Sequence, residues 1–214
     1  MEVKNFMKIL KQLIVVIIGV AFIGMGAAIS VINNLGSDPI TVFAQGISCS
    51  LLKYNLNFFT VGNSLILVDF LVFVVLVLLY KLKYVKFGTF VGMVFIGLFI
   101  DIWQNLLLDL VKTDSTIGKI IWMLIGATIL SVGIGIYISA DMGAAPVDLI
   151  PVEISEHLHI NYSLVRVICD LLFMLFGWLL GGVVGIATIV CMCLIGPISG
   201  LIIKHMKKYI LINC

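Results

Sequence analysis

The sequence predicts an all-α integral membrane protein. It is expected to have about six transmembrane helices, arranged as two inverted three-helix repeats, each with a short re-entrant or half-buried helix. Three observations lead there. Of the 214 residues 62% are hydrophobic and only 11% are charged, against about 25% charged in soluble domains. Runs of about 20 nearly uncharged residues recur, each long enough to cross a hydrocarbon core of about 30 Å. The two ends of the chain also repeat one another. Residues 19–39, GVAFIGMGAAISVINNLGSDP, lie over 126–146, GATILSVGIGIYISADMGAAP, without a gap. Gly19 meets Gly126, Gly26 meets Gly133, Asn34 meets Asp141, Gly36 meets Gly143 and Pro39 meets Pro146. Further on, Asp69 falls over Asp170, and Thr89 and Gly97 over Thr188 and Gly196. Apolar runs align by accident, but Gly, Pro and Asp positions repeated in one order do not.

The repeat divides the chain into residues 1–112 and 113–214, two halves of one membrane domain. Each half opens with a long span (about 13–33, then 118–140) that ends in a polar Gly-x-x-Pro turn. The first apolar run is too long for a signal peptide and is followed by more spans, so it reads as an uncleaved first helix. A short amphipathic segment comes next (38–52, then 146–158), roughly 20–22 Å long as a helix and too short to span. Its second copy carries Asp148, Glu153, Glu156, His157 and His159, which are costly against lipid. A second span (61–80, then 163–181) and a third (87–110, then 183–203) complete each half.

Three spans per half is an odd number, so the second half enters the membrane upside down relative to the first. With the N-terminus inside, the cytoplasmic face receives Lys4, Lys8, Lys11, Lys81, Lys83, Lys86, Arg166, Lys204, Lys207 and Lys208. The outer face receives Lys53, Lys112 and Lys119, as the positive-inside rule requires. Eight spans would balance equally, so segment length and the acids of the short segment decide for six. Both termini are then cytoplasmic. The net charge of +2 comes from Lys clusters beside apolar runs and does not point to nucleic acid.

The turns Gly36-Ser37-Asp38-Pro39 and Gly143-Ala144-Ala145-Pro146 are the strongest candidate site. Gly permits unusual backbone angles and close approach, and Pro at the first helical position starts a helix without losing a hydrogen bond. Each turn is expected to open a short helix whose N-terminus faces inward, where it would attract negative groups. Substrate contacts are therefore expected from Gly36, Asp38, Pro39, Gly143, Pro146 and Asp148. Asp148 stands in the first turn of its helix, where it could cap free N–H groups or bind a cation or proton. Its counterpart is Thr41, so a charged site would be asymmetric. Asp69 and Asp101 are the candidates for ion coupling. Asp170 has Arg166 four residues before it and is expected to pair along one helix face, whereas Asp69 has no such local partner.

No metal site is expected, because His157 and His159 diverge and lack a third ligand. The cysteines read as small packing residues. No nucleophile elbow, Walker loop or HExxH motif is present, so neither catalysis nor a cofactor is expected. Gly88, Gly92 and Gly97 suit close helix contacts.

Met142-Gly143-Ala144-Ala145-Pro146-Val147-Asp148 resembles the Gly-x-x-Pro-Trp-Asp turn of the bacterial YczE/YyaS/YitT group of membrane proteins, most closely its YczE-like branch. Leu35-Gly36-Ser37-Asp38-Pro39 and the Thr89…Gly97…Asp101 spacing add to the resemblance. Val147 stands where that group often has Trp, and Thr41 replaces the Asp in the first copy. The resemblance implies a location in the bacterial cytoplasmic membrane but no substrate.

The expected function is that of a small secondary transporter or permease-like protein. Its site would lie between the two Gly-x-x-Pro half-helices, within the lipid bilayer, and take a small molecule or ion. The alternatives are a non-transporting accessory or regulatory membrane protein, or the membrane substrate-binding subunit of a larger transporter. The glycine-rich spans would permit a homodimer or a partner membrane protein.

Overall fold

The computed structural model describes residues 2–56, 58–80, 85–160 and 162–212. Among them it has eight helices: α1 (Glu2–Ile32), α2 (Pro39–Leu52), α3 (Val61–Tyr80), α4 (Phe87–Val111), α5 (Thr116–Ser139), α6 (Pro146–Leu158), α7 (Tyr162–Leu179) and α8 (Ile186–Ile212). The side chains of Lys4, Lys8, Lys81, Lys83, Lys207, Lys208 and Cys214, used in the charge count and the cysteine reading, lie outside the described residues.

Among the described residues five helices are long and apolar enough to cross a membrane: Ile9–Ile32 in α1, Val61–Leu78 in α3, α4, α5, and Ile186–Met206 in α8. The chain is a membrane protein. The other expected span, 163–181, falls on α7, whose 18 residues contain Arg166 and Asp170, and is not among the five. The short segments are helices α2 and α6 of 14 and 13 residues, about 20 Å long at 1.5 Å per residue. α1 begins well before the expected span. Its 31 residues reach about 46 Å, so the polar first turns add helix beyond the hydrocarbon without leaving an apolar trace in the sequence.

Helices in lipid gain little from burying apolar surface against one another, so close backbone packing through small residues does most of the joining. α1 and α5 run antiparallel at the centre. Gln12 Nε2 donates to the Ala140 carbonyl at 3.0 Å, Gly19 faces Tyr137, and Gly26 faces Leu130 and Gly126. A Cβ on Gly133 would stand 2.6 Å from the Ile23 nitrogen. Val16, Val20, Ala27, Leu130 and Tyr137 fill this buried seam.

The remaining helices flank that pair. α4 packs on α1, with Gly24 against Phe99 and Trp103 Nε1 donating to the Ala21 carbonyl at 3.1 Å. α8 packs on α5, with Gly135 against Ile202 and Ser199. α3 lies antiparallel along α4, from Gly62 against Gly97 to Phe73 against Phe90. The short helices pack far from their own sequence neighbours as well as beside them: α2 packs mainly on α7, and α6 packs on α3 as well as on its own neighbour α7. α2 and α7 run in the same direction, with Phe43 beside Phe173, Gly46 against the Gly177 carbonyl, and Ser50 Oγ donating to the Leu180 carbonyl at 2.8 Å. Outward faces carry exposed Phe70, Leu78, Leu106, Leu110, Leu179 and Ile189, as lipid contact demands.

Candidate functional site

The two Gly-x-x-Pro turns have the same local build. Asn34 and Asp141 are left-handed at φ 53°, and Gly36 and Gly143 follow at φ 96° and 100°. Asn and Asp tolerate that region better than other side chains, and Gly enters it freely. Pro39 and Pro146 then take the first helical position of α2 and α6.

Each turn is docked by the start of a long helix distant in sequence, α4 for the second turn and α8 for the first, through matching atoms. The Gly88 nitrogen donates to the Met142 carbonyl at 2.7 Å, and the Ala187 nitrogen donates to the Leu35 carbonyl at 3.1 Å. Thr89 Oγ1 accepts from the Lys86 nitrogen, and Thr188 Oγ1 from the Gly185 nitrogen, both at 3.3 Å. Gly143 presents its bare face to Thr89, and Gly36 to Thr188. The two threonines stood out in the sequence only as an aligned pair; their contact with the turns was not legible there.

What faces the short helices differs between the copies. Asp38 caps α2 from its own turn, its Oδ2 accepting from the Thr41 nitrogen and its Oδ1 from Ser37 Oγ, both at 3.2 Å. α6 has Ala145 at the capping position and no cap of its own. Asp69 of α3 takes over: its Oδ1 accepts from the Val147 nitrogen at 3.1 Å. Asp69 is buried and is the ninth residue of a 20-residue helix. The N-terminus of α6 therefore lies level with the middle of α3. A hydrogen bond is worth about 0.5–1.5 kcal/mol net, and this one ties α6 to α3 across 78 residues of sequence.

Asp148 does not cap α6. Its Oδ1 accepts from Arg166 Nη1 at 2.7 Å, while Arg166 Nε donates to Asp170 Oδ2 at 3.2 Å. The pairing of Arg166 with Asp170 is as the sequence predicts; the second bond, to Asp148, joins α7 to α6. These three side chains are 16–32% exposed, half-buried rather than sealed. Asp38, Asp69 and Asp170 all lie within electrostatic range of Asp148, and Asp170 also of Asp38. Arg166 thus joins Asp148 to Asp170, and Asp38 and Asp69 lie within electrostatic range of Asp148 where the two short helices begin. In the sequence alignment Thr41 and Leu65 stand opposite Asp148 and Arg166, so the ion pair has no aligned counterpart.

The structure brings Gly36, Asp38, Pro39, Gly143, Pro146, Asp148 and Asp69 to the two helix starts. Asp101 stands apart from them. Its carboxylate accepts from Thr60 Oγ1 and, at 3.0 Å, from the Gly62 nitrogen, which secures the start of α3. The inward N–H groups expected to attract a negative ligand are already met by carboxylates at Thr41 and Val147. Among the described residues no cluster of His, Cys, Asp and Glu is arranged to hold a metal ion.

Comparison with known proteins follows the same outline. Residues 10–204 match a family of unknown function, DUF6198. An uncharacterized protein of Haemophilus influenzae is 30% identical over 190 residues, covering 88% of this chain and 81% of the relative. The uncharacterized membrane protein YczE of Bacillus subtilis is 34% identical over 139 residues, 65% of this chain and 63% of YczE. The uncharacterized protein YyaS of the same organism is 22% identical over 194 residues, 91% of this chain and 93% of YyaS. No solved structure matches the chain. Across nearly its whole length, then, the chain belongs to the DUF6198 family, a YczE-like family of membrane proteins.

Proposed function

We propose that this protein is a small secondary transporter for a cationic substrate, built from two inverted repeats, 1–112 and 113–214. One observation carries the reading: Asp38 and Asp69 meet the starts of two half-length helices within electrostatic range of Asp148, which Arg166 joins to Asp170, in a membrane protein. Ionisable groups at membrane depth are expensive and mark ion and substrate paths or proton relays. Discontinuous helices meeting at mid-depth are a recurring transporter design.

The inverted arrangement is supported by the antiparallel run of α1 and α5, the first helices of the two halves. It is supported also by the exchange of contacts, α2 with α7 and α6 with α3, and by the equivalent docking of the two turns. In this reading there are six spans. α1 is continued by α2 and α5 by α6, and both termini are cytoplasmic.

A cation entering between α2 and α6 competes with Arg166 for Asp148. Gly36, Pro39, Gly143 and Pro146 shape the space, and Asp69 couples an ion by binding it in place of the Val147 N–H. Asp101, committed to the start of α3, takes no part. Energy comes from an ion gradient, and rocking one half against the other exposes the site to each side in turn. No reaction is catalysed.

The test is thermal unfolding of detergent-purified protein against inorganic cations, amines, amino acids and cationic drug-like compounds. A ligand at 100 times its dissociation constant stabilises by about 2.7 kcal/mol. The expected outcome is a cationic hit that Asp148→Asn loses while its own unfolding remains cooperative. A hit that Asp148→Asn keeps in full places the site elsewhere. A cooperative unfolding that no cation shifts replaces the transporter with an accessory membrane protein.

A further inference from the structure

We infer, resting on the transporter reading above, that the coupling ion is a proton, carried on Asp69 and exchanged against the cation at Asp148. Asp69 stands near the middle of α3 and is 2% exposed. A carboxylate so far from water keeps its charge only with a cation or several donors against it. Among the described residues Asp69 accepts one hydrogen bond, from the Val147 nitrogen. The Arg166 guanidinium is turned to Asp148 and Asp170 instead. Asp148 itself lies within electrostatic range of Asp69 as a like charge. A proton on Asp69 relieves both burdens at once.

The elements packed on α3 are α2, α4 and α6, and their described residues bring no cation to Asp69. α2 contains no Asp, Glu, Lys, Arg or His, and its cap Asp38 lies within range of Asp148. α4 contains none of these before Asp101, which is committed to the Gly62 nitrogen, and Lys86 just ahead of α4 pairs with Asp141. α6 brings Asp148, with Glu153 further along and an exposed His157 near its far end. Tyr137 of α5 is within range of both Asp69 and Asp148, and its hydroxyl donates to the Gly88 carbonyl at 3.0 Å. Along α3 the neighbours of Asp69 are Leu65, Val68, Phe70 and Phe73. Hard metal cations are held by about six or more oxygens, which this apolar wall does not offer. A proton needs one.

The two carboxyl groups then couple through their charges. A cation arriving at Asp148 adds positive charge within range of Asp69 and drives the proton off to water. A proton returning to Asp69 disfavours the cation in turn. The two alternate in the site, which makes the cycle an exchange of cation for proton. Only the O–H bond of Asp69 forms and breaks. An ionised Asp69 holds the Val147 N–H more firmly than a protonated one, so the start of α6 is tied to α3 most tightly when the cation is bound.

Infrared spectroscopy of the full-length protein in lipid, titrated with pH, reads the proton on Asp69. At neutral pH wild type is expected to show a protonated-carboxyl stretch that Asp69→Asn loses, that Asp69→Glu shifts, and that alkaline titration removes. Asn keeps an acceptor for the Val147 N–H; if that variant does not fold, the shift in Asp69→Glu identifies the band. Exchange is read in proteoliposomes with an acidic lumen and a trapped pH dye. Sodium, potassium, tetramethylammonium and guanidinium chlorides are added outside, guanidinium being the group Asp148 already holds. At least one should turn the lumen alkaline with wild type and none with Asp69→Asn. A wild type without the band, or a band that neither variant alters, overturns the proton on Asp69 and leaves cation transport to another coupling ion. Alkalinisation that Asp69→Asn keeps overturns it as well. A band assigned to Asp69 with no alkalinisation by any of the four overturns the exchange, and the thermal-unfolding screen then decides whether the transporter reading falls with it.

Discussion

Arg166→Leu is expected to lower the unfolding free energy by about 3 kcal/mol, and Arg166→Leu/Asp148→Asn/Asp170→Asn to recover much of that loss. The guanidinium bonds Asp148 at 2.7 Å and Asp170 at 3.2 Å, holding α6 and α7 together. Deleting one partner of a buried pair costs about 3–5 kcal/mol, chiefly because it strands the opposite charge. Here the side chains are 16–32% exposed, and solvent screening puts the cost at the low end of that range. Neutralising the two acids removes the stranded charges, so the triple variant should be more stable than the single one. Arg166→Lys should fall between them, because an ammonium cannot reproduce two fixed donors aimed at two carboxylates. Thermal unfolding in detergent, with the amount of protein in the membrane as a second readout, decides it. An unchanged midpoint for Arg166→Leu, or a triple variant no better than the single, contradicts this account of the network.

The second large effect belongs to the central seam. Gly26→Leu is expected to cost about 3 kcal/mol or more and to reduce membrane abundance sharply, with Gly26→Ala intermediate. A Cβ on Gly26 would collide with the Leu130 nitrogen and the Gly126 carbonyl oxygen. Overpacking commonly costs about 1–3 kcal/mol where side chains can shift. At Gly26 the obstacle is the backbone of α5, and yielding means separating α1 from α5 along a contact that also uses Gly19 and Gly133. A midpoint equal to wild type for Gly26→Leu would show that the two helices do not meet there.

Much of the local structure was legible because local rules dictate it. Proline at N1 and glycine at positive φ fix where α2 and α6 begin, so Pro39 and Pro146 could be placed from the sequence alone. The expected starts of α3 and α4 matched as well. The start of α1 did not, because hydropathy reports the part of a helix inside lipid and is silent on polar turns that continue it. The choice of partners was hidden for a different reason. Nothing near Asp69 in sequence needs its carboxylate, and its donor, Val147, lies 78 residues further on. Its alignment with Asp170 was the one available signal that it mattered. Asp148 was expected as a cap or ligand because it sits in a first helical turn. The position just before α6 belongs to Ala145, and Arg166 reaches Asp148 from α7 instead. The i,i+4 bond from Arg166 to Asp170 was readable from spacing, while its second bond required the packing of α6 on α7.

Cysteine labelling from one side of the membrane tests most directly whether the halves are inverted around a shared charged site. Lys53 closes α2 and His157 lies near the end of α6, both exposed. In intact cells an impermeant maleimide should label Lys53→Cys above the unsubstituted parent, and should reach His157→Cys only after permeabilisation. Labelling of both positions from the same side would mean that the halves enter the membrane in the same sense, and would remove the basis for alternating access between them.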